Sequence, residues 1–316
     1  NNVKMVFKIT QNLGSNLFIV NKNYTQSVKR GRLSFLIILL LLFTNLFSFS
    51  QKDSTRSQNF KVKTVVIDPG HGGHDPGCLG SSSKEKHVCL GIALKLGKLI
   101  KTHCPDVKVI YTREKDEFIK LHERANIANK NKADLFISIH ANSAENKSAY
   151  GTETYVMGTK YTDRNLELSK RENSVILMEK DYEKNYGGYD PNSPMTNILM
   201  GLYQQEYLQS SINFANKVEH QFSTRNNRHS RGVRQRVLLV MYRTTIPSVL
   251  IEVGFLSNSK NQALLKEQLG QAETAGAIFR AFVEYKREME GVSSSEIISE
   301  EAKLFAGWDS TLINVL

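Results

Sequence analysis

Thr64-Val65-Val66-Ile67-Asp68-Pro69-Gly70-His71-Gly72-Gly73 is the stretch from which the fold can be read. The β-branched run Thr64 to Ile67 fits a short strand, and Asp-Pro-Gly ends it. An apolar stripe at helical spacing follows at Cys89, Ile92, Ala93, Leu96, Leu99 and Ile100, which predicts a helix over about Lys86–Lys101. Strand, glycine-rich turn and helix form one βα unit. The same alternation continues outward. Val107–Tyr111 reads as a strand, Ile119–Lys130 as a helix, Leu135–Ile139 as a strand and Thr152–Val156 as another. A long, mostly helical stretch then spans Asn165–Phe222. Val237–Met241 and Ser248–Ile251 complete the set of strands. Strands separated by helices build right-handed βαβ units. The expectation is an α/β fold: a mostly parallel, twisted sheet of about six strands with helices on both faces.

The chain has 316 residues, 40% hydrophobic, 23% charged and 9% aromatic, which is globular composition. The net charge is +11, but Lys4, Lys8, Lys22, Lys29, Arg30 and Arg32 lie within residues 1–51, which contain no Asp or Glu. The rest therefore carries 11 − 6 = +5. That is ordinary for a soluble domain and suits an anionic envelope polymer. No basic stripe interleaved with aromatics points to nucleic acid. The basic flank, the apolar run Phe35–Phe43 and the polar residues after it read as a secretory signal peptide rather than a membrane anchor. The mature chain is then expected to begin near Gln51 or Lys52. A polar linker over 52–61, a catalytic domain over 62–290 and a flexible tail over 291–316 complete the organisation. Cys78, Cys89 and Cys104 include no CxxC, which argues against a thiolate metal site and a disulfide framework. Cys89 reads as core, and one disulfide stays open.

Three strands end in residues with metal or acid–base chemistry: Ile67 leads to His71, Ile139 to His140, and Ile251 to Glu252. In such sheets the strands' carboxyl ends gather the site. Glu85 stands at the start of the first helix, where an anion is favourable. Two histidines, a carboxylate and an open fourth position are a common set for catalytic zinc, with a second carboxylate serving as base.

The segment VVIDPGHGGHDPGCLG (65–80) with Glu85-Lys86, the run Leu121-His122-Glu123-Arg124 to Asn129, Ser138-Ile139-His140-Ala141-Asn142, and Arg231-Gly232-Val233-Arg234 followed by PSVLIEVGFLSN (247–258) appear in this order. Together they resemble the zinc-dependent N-acetylmuramoyl-L-alanine amidases. The resemblance implies one Zn²⁺ held by His71, Glu85 and His140, with Glu252 as the catalytic carboxylate. It implies hydrolysis of the amide between N-acetylmuramic acid and L-alanine in peptidoglycan; with the signal-peptide reading, the expectation is a monomer exported to the periplasm or cell envelope. A non-catalytic module on the same fold, or a zinc peptidase cutting the stem peptide, are the rival readings. In amidases of this kind a helical insertion can block the zinc until an activator protein displaces it, and the stretch 170–210 reads either as such a lid or as a substrate-groove wall that never moves. Glu172, Glu179 and Glu183 are the carboxylates available for that block. Asp68 reads either as an orienter of His71 or as a turn residue, Glu123 and Arg124 as a solvated or salt-bridged helix face, and His74 and His87 as loop and surface histidines.

Overall fold

The computed structural model describes residues 61–158, 166–189, 205–293 and 296. The signal-peptide, linker and tail readings therefore lie outside the described residues, except at the edges of those spans. Among the described residues no helix is long and apolar enough to cross a membrane.

The elements run β1 (Thr64–Pro69), α1 (Glu85–His103), β2 (Lys108–Tyr111), α2 (Leu121–Lys130), β3 (Leu135–Asn142), β4 (Thr152–Met157), α3 (Leu166–Ser174), a 3₁₀ turn (Val175–Met178), α4 (Tyr182–Asn185), α5 (Gln205–Thr224), β5 (Ser230–Arg236), α6 (Leu239–Tyr242), β6 (Ser248–Phe255), α7 (Ser259–Lys266) and α8 (Gln268–Met289). The six strands form one sheet in the order β2-β1-β3-β6-β4-β5. Four neighbouring pairs are parallel, and β4 runs antiparallel to β6. This is the mostly parallel α/β sheet expected.

One expectation fails. Val237–Met241 is not a strand; the fifth strand is the preceding Ser230–Arg236, and 239–242 form a helical turn. β5 is an edge strand that pairs only with β4. It needs no apolar run, and its sequence SRGVRQR has little apolar signal. Val237 to Met241 are apolar because they fill the core beside Leu121, Ala128 and Leu250.

Alternation along the strands separates two cores. Val65 and Ile67 of β1, Ile137 and Ile139 of β3, and Val249 and Ile251 of β6 pack with Ile92, Phe214 and Ile278 of α1, α5 and α8. Val66, Phe136, Leu250 and Tyr155 point the other way, toward Leu121, Ile176 and Leu239. Side chains two apart share a face. Asp68, His140, Glu252 and Glu153 therefore all belong to the second face, the one covered by α2 and by the insertion after β4.

On that face Asp68 is wholly buried and ion-paired with Arg124 Nη1 at 2.9 Å, and the hydroxyls of Thr112 and Ser138 donate to it at 2.6 Å each. Burial opposes its charge, but Arg124 and the two hydroxyls hold its carboxyl below the usual carboxylate range. Arg124 is thus not on a solvated helix face: it is 1% exposed and salt-bridged inward. Removing one partner of a buried pair leaves a bare charge. Arg124→Ala is expected to cost about 3–5 kcal/mol of unfolding free energy in urea denaturation, whereas a loss under about 1 kcal/mol would mean that the two hydroxyls alone satisfy Asp68.

Candidate metal centre and active site

The loop from β1 to α1 is shaped by its backbone partners. Gly72 and Asp75 exchange N–H···O=C bonds at 3.0 and 3.1 Å, closing a tight turn directly after His71. His71 itself has φ of 59°, the left-handed region that few non-glycine residues occupy. Arg124 Nη2 holds its carbonyl at 2.7 Å, and Arg113 Nη2 holds that of Gly70 at 2.6 Å. A Cβ on Gly70 would stand 2.6 Å from the His140 ring, and one on Gly77 would stand 2.6 Å from Glu85 Oε2 and His71 Cδ2. Only glycine leaves room there for the three side chains to meet.

They do meet. His71 Nε2 lies 3.0 Å from Glu85 Oε1, and His140 Nδ1 lies 3.1 Å from the same oxygen. The two imidazoles are edge to face, with centroids 4.8 Å apart. Glu85, the first residue of α1, is fully buried, and the backbone N–H groups of Ala141 and Cys78 donate to its two oxygens at 2.9 and 2.8 Å. Burial disfavours its charge, yet the two histidines hold its pKa well below the usual value. Asp75 Oδ2 accepts from His71 Nδ1 at 2.7 Å and takes Gly77 N–H on its other oxygen at 3.0 Å. That bond directs His71 Nε2 inward.

A fourth group enters from the insertion. Glu172 of α3 places Oε2 3.0 Å from His140 Nδ1 and 3.5 Å from His71 Nε2. One donor atom from each of His71, Glu85, His140 and Glu172 falls within 4.8 Å of all the others, and all four residues are buried. Arg171 grips Glu172 Oε1 at 2.9 Å, holds Asn142 Oδ1 and the Ser143 carbonyl, and stands 3.7 Å from Glu252 Oε1. Glu252 is fully buried, and neither of its oxygens has a hydrogen-bond partner among the described residues. Burial first, and then the charges of Glu172 and Glu85, push its pKa well above the usual value, against the pull of Arg171.

The donor set fits a divalent cation. His71 Nε2, Glu172 Oε2 and both Glu252 oxygens are buried without hydrogen-bond partners, and three carboxylates face one guanidinium. Buried polar atoms of this kind call for a partner. Cys78 is close by, but burial, and then the Glu85 charge, push its thiol up, and the neutral S–H donates to the Ala141 carbonyl at 2.9 Å. All three cysteines are free, so no disulfide forms.

The family model of N-acetylmuramoyl-L-alanine amidase matches residues 65–284, the span that carries every one of these side chains. The chain belongs to the N-acetylmuramoyl-L-alanine amidase family. Amidases of this family hydrolyse the amide between the muramic acid of the glycan and the stem peptide of peptidoglycan, and this chain is an enzyme of that class. It is 32% identical over 226 residues to the amidase AmiA of Escherichia coli K12, covering 71% of this chain and 76% of AmiA. The crystal structure of an amidase from Clostridium difficile 630 superimposes with TM-score 0.53 at 27% identity, covering 72% of this chain and 97% of that one. The CwlD amidase of Clostridioides difficile, solved in complex with the GerS lipoprotein, gives 0.50 at 28% identity, covering 71% and 98%.

His71, Glu85, His140 and Glu252, named from the amidase motifs, converge in space. Asp68 does not touch His71; its reach to that residue runs through Arg124, and Asp75 is the direct orienter. Asp75 went unassigned in the sequence although it stands four residues after His71 in the same motif. Of the candidate blocking carboxylates only Glu172 reaches the site. Glu179 is buried against Tyr186 and the N–H of Leu121, and Glu183 is exposed. His74 and His87 are exposed, as expected.

Replacing His71 or His140 by Ala is expected to abolish retention of a divalent metal by the purified protein, and Asp75→Ala to weaken it about 10–100-fold. Elemental analysis after dialysis checks this, and near-stoichiometric metal in both histidine variants would overturn the ligand set.

Proposed function

We propose that His71, Glu85 and His140 hold one zinc ion and that Glu252 transfers the proton in amide hydrolysis. The observation that carries this is the buried cluster of donor atoms within 4.8 Å of one another, with Glu252, whose oxygens have no hydrogen-bond partner among the described residues, on the neighbouring strand. Two imidazoles and a carboxylate are a donor set that zinc prefers. When bound, zinc supplies Lewis acidity, polarising a carbonyl and lowering the pKa of water toward about 7. Glu252 takes the proton of the attacking water and hands it to the nitrogen of L-alanine, which leaves poorly unless protonated. Asp75 holds His71 in the orientation and tautomer that ligation requires.

We further propose that the enzyme rests in a closed state. Glu172 occupies the space that the attacking water and the scissile carbonyl need, and Arg171 clamps Glu172 while screening Glu252. The segment is pinned at Asn173, which bonds the Val237 carbonyl and Leu239 N–H, and at Glu179, which accepts from Tyr186 and Leu121. Activation then requires a partner that lifts α3. The lipoprotein bound to CwlD supports a protein partner of this kind. A substrate in the cell wall agrees with the export reading of residues 1–51 and with a periplasmic or envelope location.

Glu252→Gln keeps the shape and removes the proton acceptor. Turnover on purified peptidoglycan is expected to fall by roughly 10²–10⁴ with zinc content unchanged, and a rate within about threefold of the parent contradicts the role. Glu172→Ala is expected to raise basal turnover about tenfold or more at equal zinc content, since a lost charge-assisted contact is worth about 1.5–3 kcal/mol. A zinc-loaded variant that is no faster makes the insertion a fixed groove wall.

A further inference from the structure

A second charged group stands beside the catalytic carboxylate, on β4 and β5. Glu153 of β4 lies directly across the antiparallel pair from Glu252. Side chains so paired project from the same face with Cβ atoms about 5 Å apart. Glu153 is 3% exposed and fully engaged. Its Oε2 accepts from the Tyr155 hydroxyl and from Asn142 Nδ2 at 3.3 Å, and its Oε1 meets Arg231 Nε and, at 3.5 Å, Arg234 Nη2.

Arg231 spends its Nε on Glu153 and lies over the Phe255 ring at 5.2 Å; among the described residues its two Nη groups have no acceptor. The strand itself is bent to produce this arrangement. Residues three apart on a regular strand face opposite ways. Between Thr152 and Thr154 the register against β5 advances from Ser230 to Val233, one residue too many, and Gly232 takes φ of 83°. This bulge re-aims Arg231 to the side of Arg234. Both arginines are about one-third exposed, at 32% and 30%.

They open on a cavity of about 650 Å³ that Asn142, Tyr155, Phe255 and Arg171 also line. Glu252 does not itself line the cavity; Arg171, on the cavity wall, stands 3.7 Å from Glu252 and separates the two. The arginines stand two strands from Glu252, about 10 Å between backbones, and their side chains lean back over Glu153. Two extended peptide residues span about 7 Å. A stem peptide cut at its first amide and laid across β4 therefore brings the second residue to the arginines. In peptidoglycan that residue is a glutamate linked through its γ-carboxyl, with its α-carboxylate free.

We propose that Arg231 and Arg234 form the subsite for the free α-carboxylate of the second stem residue, with Glu153 as the buried counter-charge that fixes both guanidiniums. The subsite rests on the amidase reading above. Guanidinium forks bind carboxylates bidentately and lose that fit when the acid becomes an amide.

The test uses the full-length zinc-loaded enzyme and two synthetic muramyl peptides, identical except that the second residue is the free acid in one and the α-amide in the other. Initial rates over a concentration series give kcat and KM for each. The unaltered enzyme is expected to favour the free acid about 10–100-fold in kcat/KM, mainly through KM, the range that one charge-assisted pair supplies. Arg234→Gln is expected to bring that ratio toward 1, and Arg231→Lys, which keeps the charge on Glu153, to leave an intermediate ratio. Equal kcat/KM for the two peptides with the unaltered enzyme overturns the subsite, whatever the variants do. A preference that survives in a folded Arg234→Gln protein, checked by thermal unfolding, also overturns the assignment to this pair. If neither peptide is cut at the muramic acid amide, the amidase reading fails and the subsite falls with it, a result distinct from equal cleavage.

Discussion

Two buried guanidiniums hold the loop on which the site depends. Arg113 and Arg124 together take up the carbonyls of Pro69, the last residue of β1, and of Gly70 and His71 just beyond it. Arginine is suited to this because its charge cannot be neutralised by losing a proton, and its fork reaches several acceptors at once. Asp68 balances Arg124 from the strand below, with the hydroxyls of Thr112 and Ser138 on either side. The left-handed backbone of His71 persists because its surroundings over-determine it. The loop that delivers His71 is therefore rigid, and so is the position of Glu85, whose backbone N–H is bonded to the Cys78 carbonyl of the same loop.

The charges follow from that geometry. Glu85, Glu172 and Glu252 crowd a dry pocket in which His71 and His140 offset Glu85 and Glu172, while Arg171 stands against Glu172 and Glu252. A divalent cation held by the proposed ligands would offset this crowded negative charge. Arg171 couples three regions: it clamps the glutamate of the insertion, neighbours Glu252 and lines the cavity that leads to Arg231 and Arg234. Displacing α3 would free the metal site and reshape the peptide groove in a single movement.

Much of this was legible in the sequence, for identifiable reasons. β1, β3 and β6 are central strands buried on both faces, so they are near-continuous apolar runs, and His71, His140 and Glu252 lie just beyond or within their carboxyl-terminal halves. β5 was missed because an edge strand carrying arginines lacks that signature, while the apolar run after it fills the core without joining the sheet. Arg124 read as belonging to a solvated or salt-bridged helix face, because helix periodicity cannot show that its partner is a buried carboxylate from a distant strand. Glu172 was one of three equivalent carboxylates in the insertion; only the packing of Asn173 and Glu179 selects which one points inward. Glu153 and its two arginines depend on a one-residue register shift, which leaves no mark in composition.

The central claim is that this site cuts the amide between the glycan and its stem peptide through a bound metal. Mass spectrometry of purified peptidoglycan digested with the protein, with and without a chelator, tests it most directly. The account predicts intact stem peptides released with a free L-alanine amino terminus, glycan strands that keep their lactyl carboxylates, and neither product once the metal is removed. Fragments cut within the stem peptide, or cleavage that continues undiminished in the chelated, metal-free protein, would contradict it.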